Sequence, residues 1–143
     1  MIIAKKIGKI FLDIAIYGAI VIGLLYGLPR FLAWYLHTPY PIAAITSGSM
    51  WPVFNEGDLV FIEGVAKENL SAGDIVVWRN PQGFTIHRVV RLQETTLVTK
   101  GDANFTEDPP VKYEDVIGRT HKIFGKNAKL PYLGLVTVYA NKN

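Results

Sequence analysis

This 143-residue chain is organised around one short stretch, Thr46-Ser47-Gly48-Ser49-Met50-Trp51-Pro52. Gly48 lets the backbone turn sharply and come close to a ligand. A serine held at such a turn can act as a nucleophile when a base lies beside it. Ser-Gly-Ser is also common in ordinary turns. The stretch therefore indicates an active serine only if residues elsewhere supply its partners.

An apolar segment precedes this turn. Residues 10–28 carry one charge, Asp13, and as a helix rising ~1.5 Å per residue they reach ~28 Å, about the hydrocarbon thickness of a bilayer. Lysines at residues 5–9 predict a cytoplasmic N-terminus. We expect a retained, single-pass anchor, because a cleavable signal peptide has a shorter apolar core followed closely by a small-residue cleavage site. An interruption is expected at residues 29–30, with residues 31–36 continuing at the interface.

Small side chains recur at every fourth position of the anchor, on one helix face: Ala15, Ala19, Gly23 and Gly27. Such faces let membrane helices approach closely, so this one predicts a helix–helix partner, although alanine and glycine are also common in membrane helices.

Charge and composition exclude several classes of protein. The net charge of +3 belongs to the first 37 residues, and the rest of the chain carries 11 basic and 11 acidic side chains. This balance leaves no basic surface for nucleic acid. There is no cysteine, so disulfides, a thiolate nucleophile and cysteine-ligated zinc are excluded, and we expect no cofactor or metal.

Short β-rich runs begin after residues 38–41, where two prolines indicate a rigid exit from the membrane. Turn signals separate the runs, and Asn80 to Gly83 predict a hairpin. The runs are residues 42–45, 58–62, 74–79, 84–92, 96–100, 115–124 and 133–139. The predicted fold class is mainly β, with an N-terminal transmembrane anchor (1–37) followed by a mostly antiparallel sheet or partial barrel (38–143).

Few residues qualify as partners of the serine turn. His87 lies in the middle of a predicted strand, whereas His37 is expected at the membrane interface and His121 on a strand surface. Carboxylates gather at residues 102–108, which lack the glycine of a calcium loop. The histidines have no zinc-ligand spacing. A turn serine, a strand histidine and a loop carboxylate form the inventory of an acyl-transfer triad.

Five boxes follow one another along the chain: Ser47-Gly48-Ser49-Met50-x-Pro52, Gly57-Asp58, Gly73-Asp74-Ile75-Val76, Ile86-His87-Arg88-Val89, and Lys100-Gly101-Asp102-x-Asn104 with Asp108. Together they resemble type I signal peptidase. The resemblance is closest to the archaeal and endoplasmic-reticulum branch, in which a histidine stands where bacterial enzymes usually carry a lysine base. Many members of this branch end with a second membrane segment, whereas residues 133–139 are too short to span.

The resemblance implies a role for each site residue. Ser49 is the nucleophile and His87 the general base, with Asp108 the favoured third member and Asp102 a supporting carboxylate that can share its role. Ser47 and the backbone N–H of Ser49 are expected to stabilise the oxyanion. Lys100 is the alternative base, but a lysine must be deeply buried to act near neutrality, and Lys100 adjoins a polar loop.

The implied activity is removal of signal peptides from exported preproteins after small residues, at a cell membrane or endoplasmic-reticulum membrane. The signal peptide is expected to lie as an extended strand beside Ile42, Ala43, Ala44 and Ile45. Trp51 and Phe54 are expected either to reach the membrane interface or to pack in the core. The competing interpretations are a regulatory peptidase of the self-cleaving repressor type and an inactive anchored β-domain that binds exported peptides.

Overall fold

The computed structural model describes residues 2–140, and the N-terminal part of them is helical. Helix α1 comprises Ile2–Ile22, a π-helical segment comprises Gly23–Gly27, and helix α2 comprises Leu28–Tyr35. From Lys6 to Tyr35 this helix is long and apolar enough to cross a membrane, judged by length and composition alone. Met1 and residues 141–143, which the predicted anchor and β-domain include, lie outside the described residues.

The interruption expected at residues 29–30 is not found there, because Pro29 and Arg30 lie within helix α2, and the helix is irregular instead in the π-helical segment just before them. Proline has no N–H, and its ring clashes with the carbonyl four residues earlier in a regular α-helix. The backbone widens just before Pro29, where the Leu28 N–H donates to the Gly23 carbonyl, five residues back. Because the wider turn accommodates the proline, α2 extends the helix to Trp34 and Tyr35, which are 73% and 57% exposed.

The rest of the described chain forms short strands that pair antiparallel throughout. In chain order they are β1 Ile42–Ala44, β2 Leu59–Glu63, β3 Ile75–Asn80, β4 Gly83–Leu92, β5 Thr96–Lys100, β6 Val111–Lys112, β7 Val116–Thr120, β8 Lys122–Ile123, β9 Lys126–Asn127 and β10 Lys129–Leu130. Helix α3, Leu135–Ala140, follows them.

The main sheet has the strand order β1-β2-β7-β3-β4-β5-β6, with β10 also paired to β2. It is strongly curled. Tyr40, just before β1, and Phe84, in β4, have ring centroids 5.2 Å apart, although three strands separate β1 from β4 in the sheet. The predicted fold class, a mostly antiparallel curled sheet after an N-terminal apolar helix, is confirmed.

The core lies on both sides of β3. Ile75 and Val77 join one buried cluster and Val76 joins the other, because successive side chains of a strand point to opposite faces. The first cluster includes Met50 and Phe54, both fully buried, and each such side chain contributes about 1.5–3 kcal/mol. Phe54 therefore packs in the core, while its neighbour in the serine turn, Trp51, is 61% exposed.

The sequence predictions were wrong towards the C-terminus. Residues 133–139 are not a strand, because Leu135 and Val138 are spaced for one helix face: Leu135 packs against Gly57 and Val138 is buried. The run predicted at residues 115–124 ends at Thr120 in β7. The chain then turns at His121 into the small β8–β9 hairpin, which β10 follows.

Candidate active site

The serine turn lies between β1 and β2 and is held in place by residues that pack in the core. The Trp51 N–H donates to the Gly48 carbonyl over 3.1 Å, and the Phe54 N–H donates to the Met50 carbonyl over 2.9 Å. Met50 and Phe54 are fully buried. Because Ser49 directly precedes the buried Met50, core packing sets the position of Ser49, rather than the exposed part of the turn.

Asp58 closes the same loop just before β2. Its Oδ2 accepts the Asn55 N–H over 3.0 Å and the Lys129 ammonium over 2.8 Å. Burial acts to raise the pKa of this carboxyl, but hydrogen bonds and the charge of Lys129 outweigh it and hold the pKa below its ordinary value. The ion pair therefore stabilises the loop that carries Ser49.

A second loop, which follows β5, packs against the serine turn. The Ser49 carbonyl accepts the Ala103 N–H over 2.9 Å. A Cβ added at Gly101 would lie 2.7 Å from the same carbonyl oxygen, closer than side-chain carbons approach backbone. Glycine at position 101 therefore allows the close approach of the two loops.

His87 lies in β4 between the serine turn and an acidic side chain. Its Nε2 is 3.1 Å from Ser49 Oγ, and its Nδ1 is 2.6 Å from Asp108 Oδ2. When Nδ1 donates to the carboxylate, Nε2 is left as an acceptor facing the serine hydroxyl. The three side chains thus form a continuous hydrogen-bonded series, with the imidazole in the middle and only 8% exposed.

Thr99 holds the carboxylate of this series. Its hydroxyl donates to Asp108 Oδ2 over 2.6 Å, so this oxygen accepts from both Thr99 and His87. The Asp108 N–H donates to the Thr99 carbonyl over 2.8 Å. Thr99 is fully buried. Backbone and side chain of one threonine therefore both orient Asp108.

The other carboxylate, Asp102, faces a different partner. Its two oxygens accept from Arg88 Nε and NH2 over 2.8 and 2.7 Å, and NH1 of the same guanidinium donates to the Gly73 carbonyl. This bidentate hydrogen bond raises the pKa of Arg88. Arg88 follows His87 in the strand and points to the opposite face. Asp102 therefore ties β4 to the loop under the serine turn and does not contact the imidazole.

Ser47 and Lys100 also have defined places. Ser47 Oγ lies 3.2 Å from Ser49 Oγ, beside the hydroxyl that the histidine contacts. Lys100 pairs with Arg88 across β4 and β5, so it lies on the face of the sheet opposite His87. Thr99, one residue earlier, lies on the histidine face. The strand register thus puts the hydroxyl of Thr99, and not the amine of Lys100, at the site.

A cleft of about 630 Å³ opens beside this series. Ser47, Ser49 and His87 are among the residues that line it. The predicted peptide-binding segment lines one wall with Ile42, Ala43, Ala44 and Ile45, and β4 lines the facing wall with Phe84, Thr85 and Ile86. The four residues of the segment therefore border the same cleft as the site residues.

Both walls carry unpaired strand edges. The Ile45 N–H donates to the Asp58 carbonyl, so alternation along β1 turns the N–H and C=O of Ile42 and Ala44 away from β2. The Val89 N–H donates to the Asp74 carbonyl, which sets the same alternation in β4. In β4, the backbone N–H and C=O groups of Phe84 and Ile86 point away from β3. Strand β5 pairs with β4 only from Arg88 onwards, so it does not reach these groups. The cleft is thus bounded by two edges able to bond an extended chain.

The other two histidines lie away from this cleft. His37, with a positive φ of 53°, borders a separate groove at the end of α2. His121 lies in the same groove and pairs with Glu63. Among residues 2–140, no three histidine and acidic side chains are grouped closely enough to hold a metal ion. His121 was expected on a strand surface, and it lies instead at the turn between β7 and β8.

Sequence reasoning missed Thr99 and the role of Arg88. A signal for Thr99 was available, because alternation from Lys100 puts it on the other face of its strand. Arg88 lies next to His87 in one of the five boxes, and the same strand alternation places the two side chains on opposite faces of the sheet. The pairing of Arg88 with Asp102 then leaves Asp108 for the histidine.

Known proteins resemble this chain over most of its length. A family model described as Peptidase S24-like matches residues 32–125. The Homo sapiens signal peptidase complex catalytic subunit SEC11C is 35% identical over 117 residues, covering 71% of this chain and 57% of that protein. The corresponding subunit of Lodderomyces elongisporus is 36% identical, covering 76% and 69%, and that of Neurospora crassa is 37% identical, covering 74% and 67%. The chain spans little more than half the length of the mammalian relatives it matches.

Proposed function

The chain belongs to the Peptidase S24-like family, within the endoplasmic-reticulum-type branch of type I signal peptidases, and from this premise we propose that it is a membrane-anchored serine endopeptidase that removes signal peptides. The observation that carries the proposal is the hydrogen-bonded series from Ser49 through His87 to Asp108. Ser49 and His87 line a cleft with two open strand edges.

The proposed chemistry is acyl transfer. Ser49 Oγ attacks the carbonyl carbon of the scissile peptide bond while His87 Nε2 accepts its proton. Asp108 holds the imidazole in the required tautomer and stabilises the imidazolium that forms. The tetrahedral intermediate collapses, the C–N bond breaks, and the leaving amine takes the proton from His87. Water, deprotonated by His87, then hydrolyses the acyl ester and restores Ser49.

The proposed oxyanion donors are the Ser47 hydroxyl and the Ser49 backbone N–H. The 3.2 Å separation of the two hydroxyl oxygens supports this, since a donor beside the nucleophile is close to the oxygen of the attacked carbonyl. Asp102 is proposed to act indirectly, by holding Arg88 and with it the loop whose Ala103 N–H binds the Ser49 carbonyl.

The proposed substrate position is the cleft, with the signal peptide extended between β1 and β4. Outward backbone groups on Ile42, Ala44, Phe84 and Ile86 support main-chain bonding along both sides of the peptide. Ala43 and Ala44, whose side chains are short, line one wall of the cleft. This supports a substrate preference in which bulky residues are excluded and small ones accepted, as at A-x-A sites.

Residues 1–37 are the proposed anchor and residues 38–143 the proposed extracytoplasmic peptidase domain. The helix from Lys6 to Tyr35 supports membrane attachment, and the lysines near its start support a cytoplasmic N-terminus. The face formed by Ala15, Ala19, Gly23 and Gly27 is the proposed contact for another membrane helix. The proposed location is the cell membrane or, in a eukaryote, the endoplasmic-reticulum membrane.

The test is cleavage of one preprotein in detergent by the full chain and by Ser49→Ala. We expect the full chain to release the signal peptide after a small residue and the variant to bind the preprotein without cleaving it. Binding without cleavage by both proteins would instead establish an inactive peptide-binding domain. Equal cleavage by both would exclude Ser49 as the nucleophile.

A further inference from the structure

The β8–β9 hairpin has an apolar tip that is largely exposed rather than packed against the described residues 2–140. Phe124 is completely exposed and Ile123 is 51% exposed. The pairing of Lys122 with Asn127 and of Ile123 with Lys126 leaves Phe124 and Gly125 as the two turn residues. Large apolar side chains in this position are exposed by the shape of the hairpin itself.

Phe124 is also an unfavourable residue for its backbone conformation. The φ angles of Phe124 and Gly125 are 50° and 77°, so both turn residues are left-handed, as in the two-residue turns that favour asparagine followed by glycine. A bulky side chain adopts this conformation at a cost. A costly, fully exposed aromatic residue is better explained by a contact outside the domain than by folding.

The base of the hairpin is held firmly beside the end of the membrane helix. The Ala128 N–H donates to the His121 carbonyl, and the Thr120 hydroxyl donates to the Asn127 side chain. His121 lines one groove together with Tyr35, Leu36 and His37, the residues in which α2 ends. The Gly64 N–H, on the other side of this groove, donates to the Leu36 carbonyl.

We infer that the hairpin tip inserts into the lipid interface of the same bilayer that the helix crosses, an inference that rests on the proposed membrane anchor. Trp34 and Tyr35 mark the level of the headgroups, because exposed aromatic residues at a helix end prefer the interface. Two-residue strands rising ~3.3 Å per residue carry the tip ~7–10 Å from its base, comparable to the depth of the headgroup region.

The chemistry of the tip matches that of a lipid interface. Lys126 directly follows the apolar turn residues, and its side chain is exposed. Lysines beside a membrane surface are attracted to anionic headgroups, while phenylalanine and isoleucine favour the acyl boundary. Lys122 pairs with Asp74 at 3.1 Å, which ties the hairpin to the sheet and holds its direction.

The test uses the absence of cysteine from the chain. Ile123→Cys carries an environment-sensitive dye next to the intact Phe124, and the control Thr95→Cys carries the same dye on the exposed turn between β4 and β5. Each full chain is reconstituted into vesicles of neutral and anionic phospholipid that contain lipids with nitroxide quenchers at shallow or deep acyl positions. Flotation establishes that the protein is bound.

We expect the dye at residue 123 to shift to the blue and to be quenched most by the shallow nitroxide, while the dye at residue 95 reports water. Adding Phe124→Asn should remove the quenching without unfolding the hairpin, because asparagine suits the left-handed turn. A dye at residue 123 that behaves like the one at 95, or is shielded without being quenched, as by a protein partner, would overturn the inference. Protein that fails to float would overturn the proposed anchor and this contact together.

Discussion

Among residues 2–140, two histidine–carboxylate pairs differ in what surrounds them. In one, His87 Nδ1 contacts Asp108 while Nε2 faces the Ser49 hydroxyl and the cleft. In the other, His121 Nδ1 contacts Glu63, which also accepts from Arg119 Nε over 2.8 Å. A histidine beside a carboxylate is thus insufficient to define a site, since within the described part of the chain a hydroxyl faces the other ring nitrogen in the first pair and not in the second.

The carboxylates of the two pairs also have different donors. Burial acts to raise the pKa of Glu63, but His121 and Arg119 outweigh it and hold the pKa below its ordinary value. Arg119 in turn has a raised pKa because of Glu63, and it also contacts Asp74, to which Lys122 is bound. Asp108, by contrast, accepts from Thr99, a neutral donor. Among residues 2–140 no arginine or lysine forms an ion pair with Asp108, so its charge is available when an imidazolium forms.

The largest expected effect comes from removing the ring or the hydroxyl of the first pair. His87→Ala and Ser49→Ala should each lower cleavage of a preprotein by about 10⁴–10⁶-fold, because the members of a triad act as a unit. His121→Ala and Lys100→Ala are the matched controls and should cleave within about threefold of the unaltered chain. Single-turnover rates in detergent measure this, and a dead Lys100→Ala beside an active His87→Ala would identify a Ser/Lys enzyme.

The next effect separates the carboxylates. Asp108→Asn should lower turnover by up to about 10⁴-fold, because an amide holds the imidazole in the wrong tautomer. Asp102→Asn should lower it less, since it loosens only the Arg88 contact. Glu63→Gln, the matched change in the second pair, should leave cleavage nearly intact. The same single-turnover assay checks the order, and a larger loss in Asp102→Asn than in Asp108→Asn would reverse the assignment.

Through the resemblance, the order of the boxes predicted Ser49, His87 and Asp108 as the catalytic residues, and the structure brings these three side chains into hydrogen-bonding distance. The resemblance favoured Asp108 over Asp102, but the sequence supplies no physical reason for that order, because both carboxylates lie in one loop. Strand alternation provides the ranking: Arg88 and His87 point to opposite faces, and the arginine takes Asp102.

The strands were predictable where a run of strand-favouring residues lies between turn signals, as in β4 and β5. The C-terminal run failed for a physical reason. Leu133 to Tyr139 is rich in strand-favouring residues, but Leu135 packs on Gly57, and a Cβ at Gly134 would lie 2.9 Å from the Asp58 carbonyl. This packing, which involves residues more than 70 positions away, selects a helix over local propensity. Two-residue strands such as β8 and β9 are too short to show the alternation of apolar and polar residues that predicts a strand.

Lowering the pH should affect cleavage and folding separately. Cleavage should fall when His87 is protonated, since an imidazolium cannot accept the Ser49 proton. Folding should persist to lower pH. In the folded protein the carboxyl pKa lies below the ordinary 4.5 for Glu63 and below the ordinary 3.8 for Asp74 and Asp58. The stability that these ionised groups contribute is therefore complete above the ordinary pKa values, and it is lost as the pH falls through the lower folded pKa values.

Parallel measurements of cleavage rate and circular dichroism check this separation. Asp58→Asn is the matched variant: it should lower the free energy of unfolding at pH 7 by about 1–3 kcal/mol, because Lys129 loses its charged partner, and should flatten the acid branch of the stability curve. Loss of cleavage that coincides with loss of the folded signal would contradict the assignment of the rate to His87.

The smallest predicted effect concerns Thr99, whose hydroxyl has no counterpart at the second pair. Thr99→Val keeps the shape of a fully buried side chain but removes the donor to Asp108 Oδ2, and leaves the carboxylate free to rotate away from the imidazole. We expect a loss of about 5–30-fold in kcat, corresponding to about 1–2 kcal/mol for one hydrogen bond to a charged group, with little change in KM. Thr99→Ser, which keeps the hydroxyl, should recover most of the rate. If the role of Thr99 were purely structural, both variants would be less stable and the pH–rate profile would not shift. If Thr99 orients Asp108, only Thr99→Val should shift the profile, because Asp108 then holds the imidazolium less well.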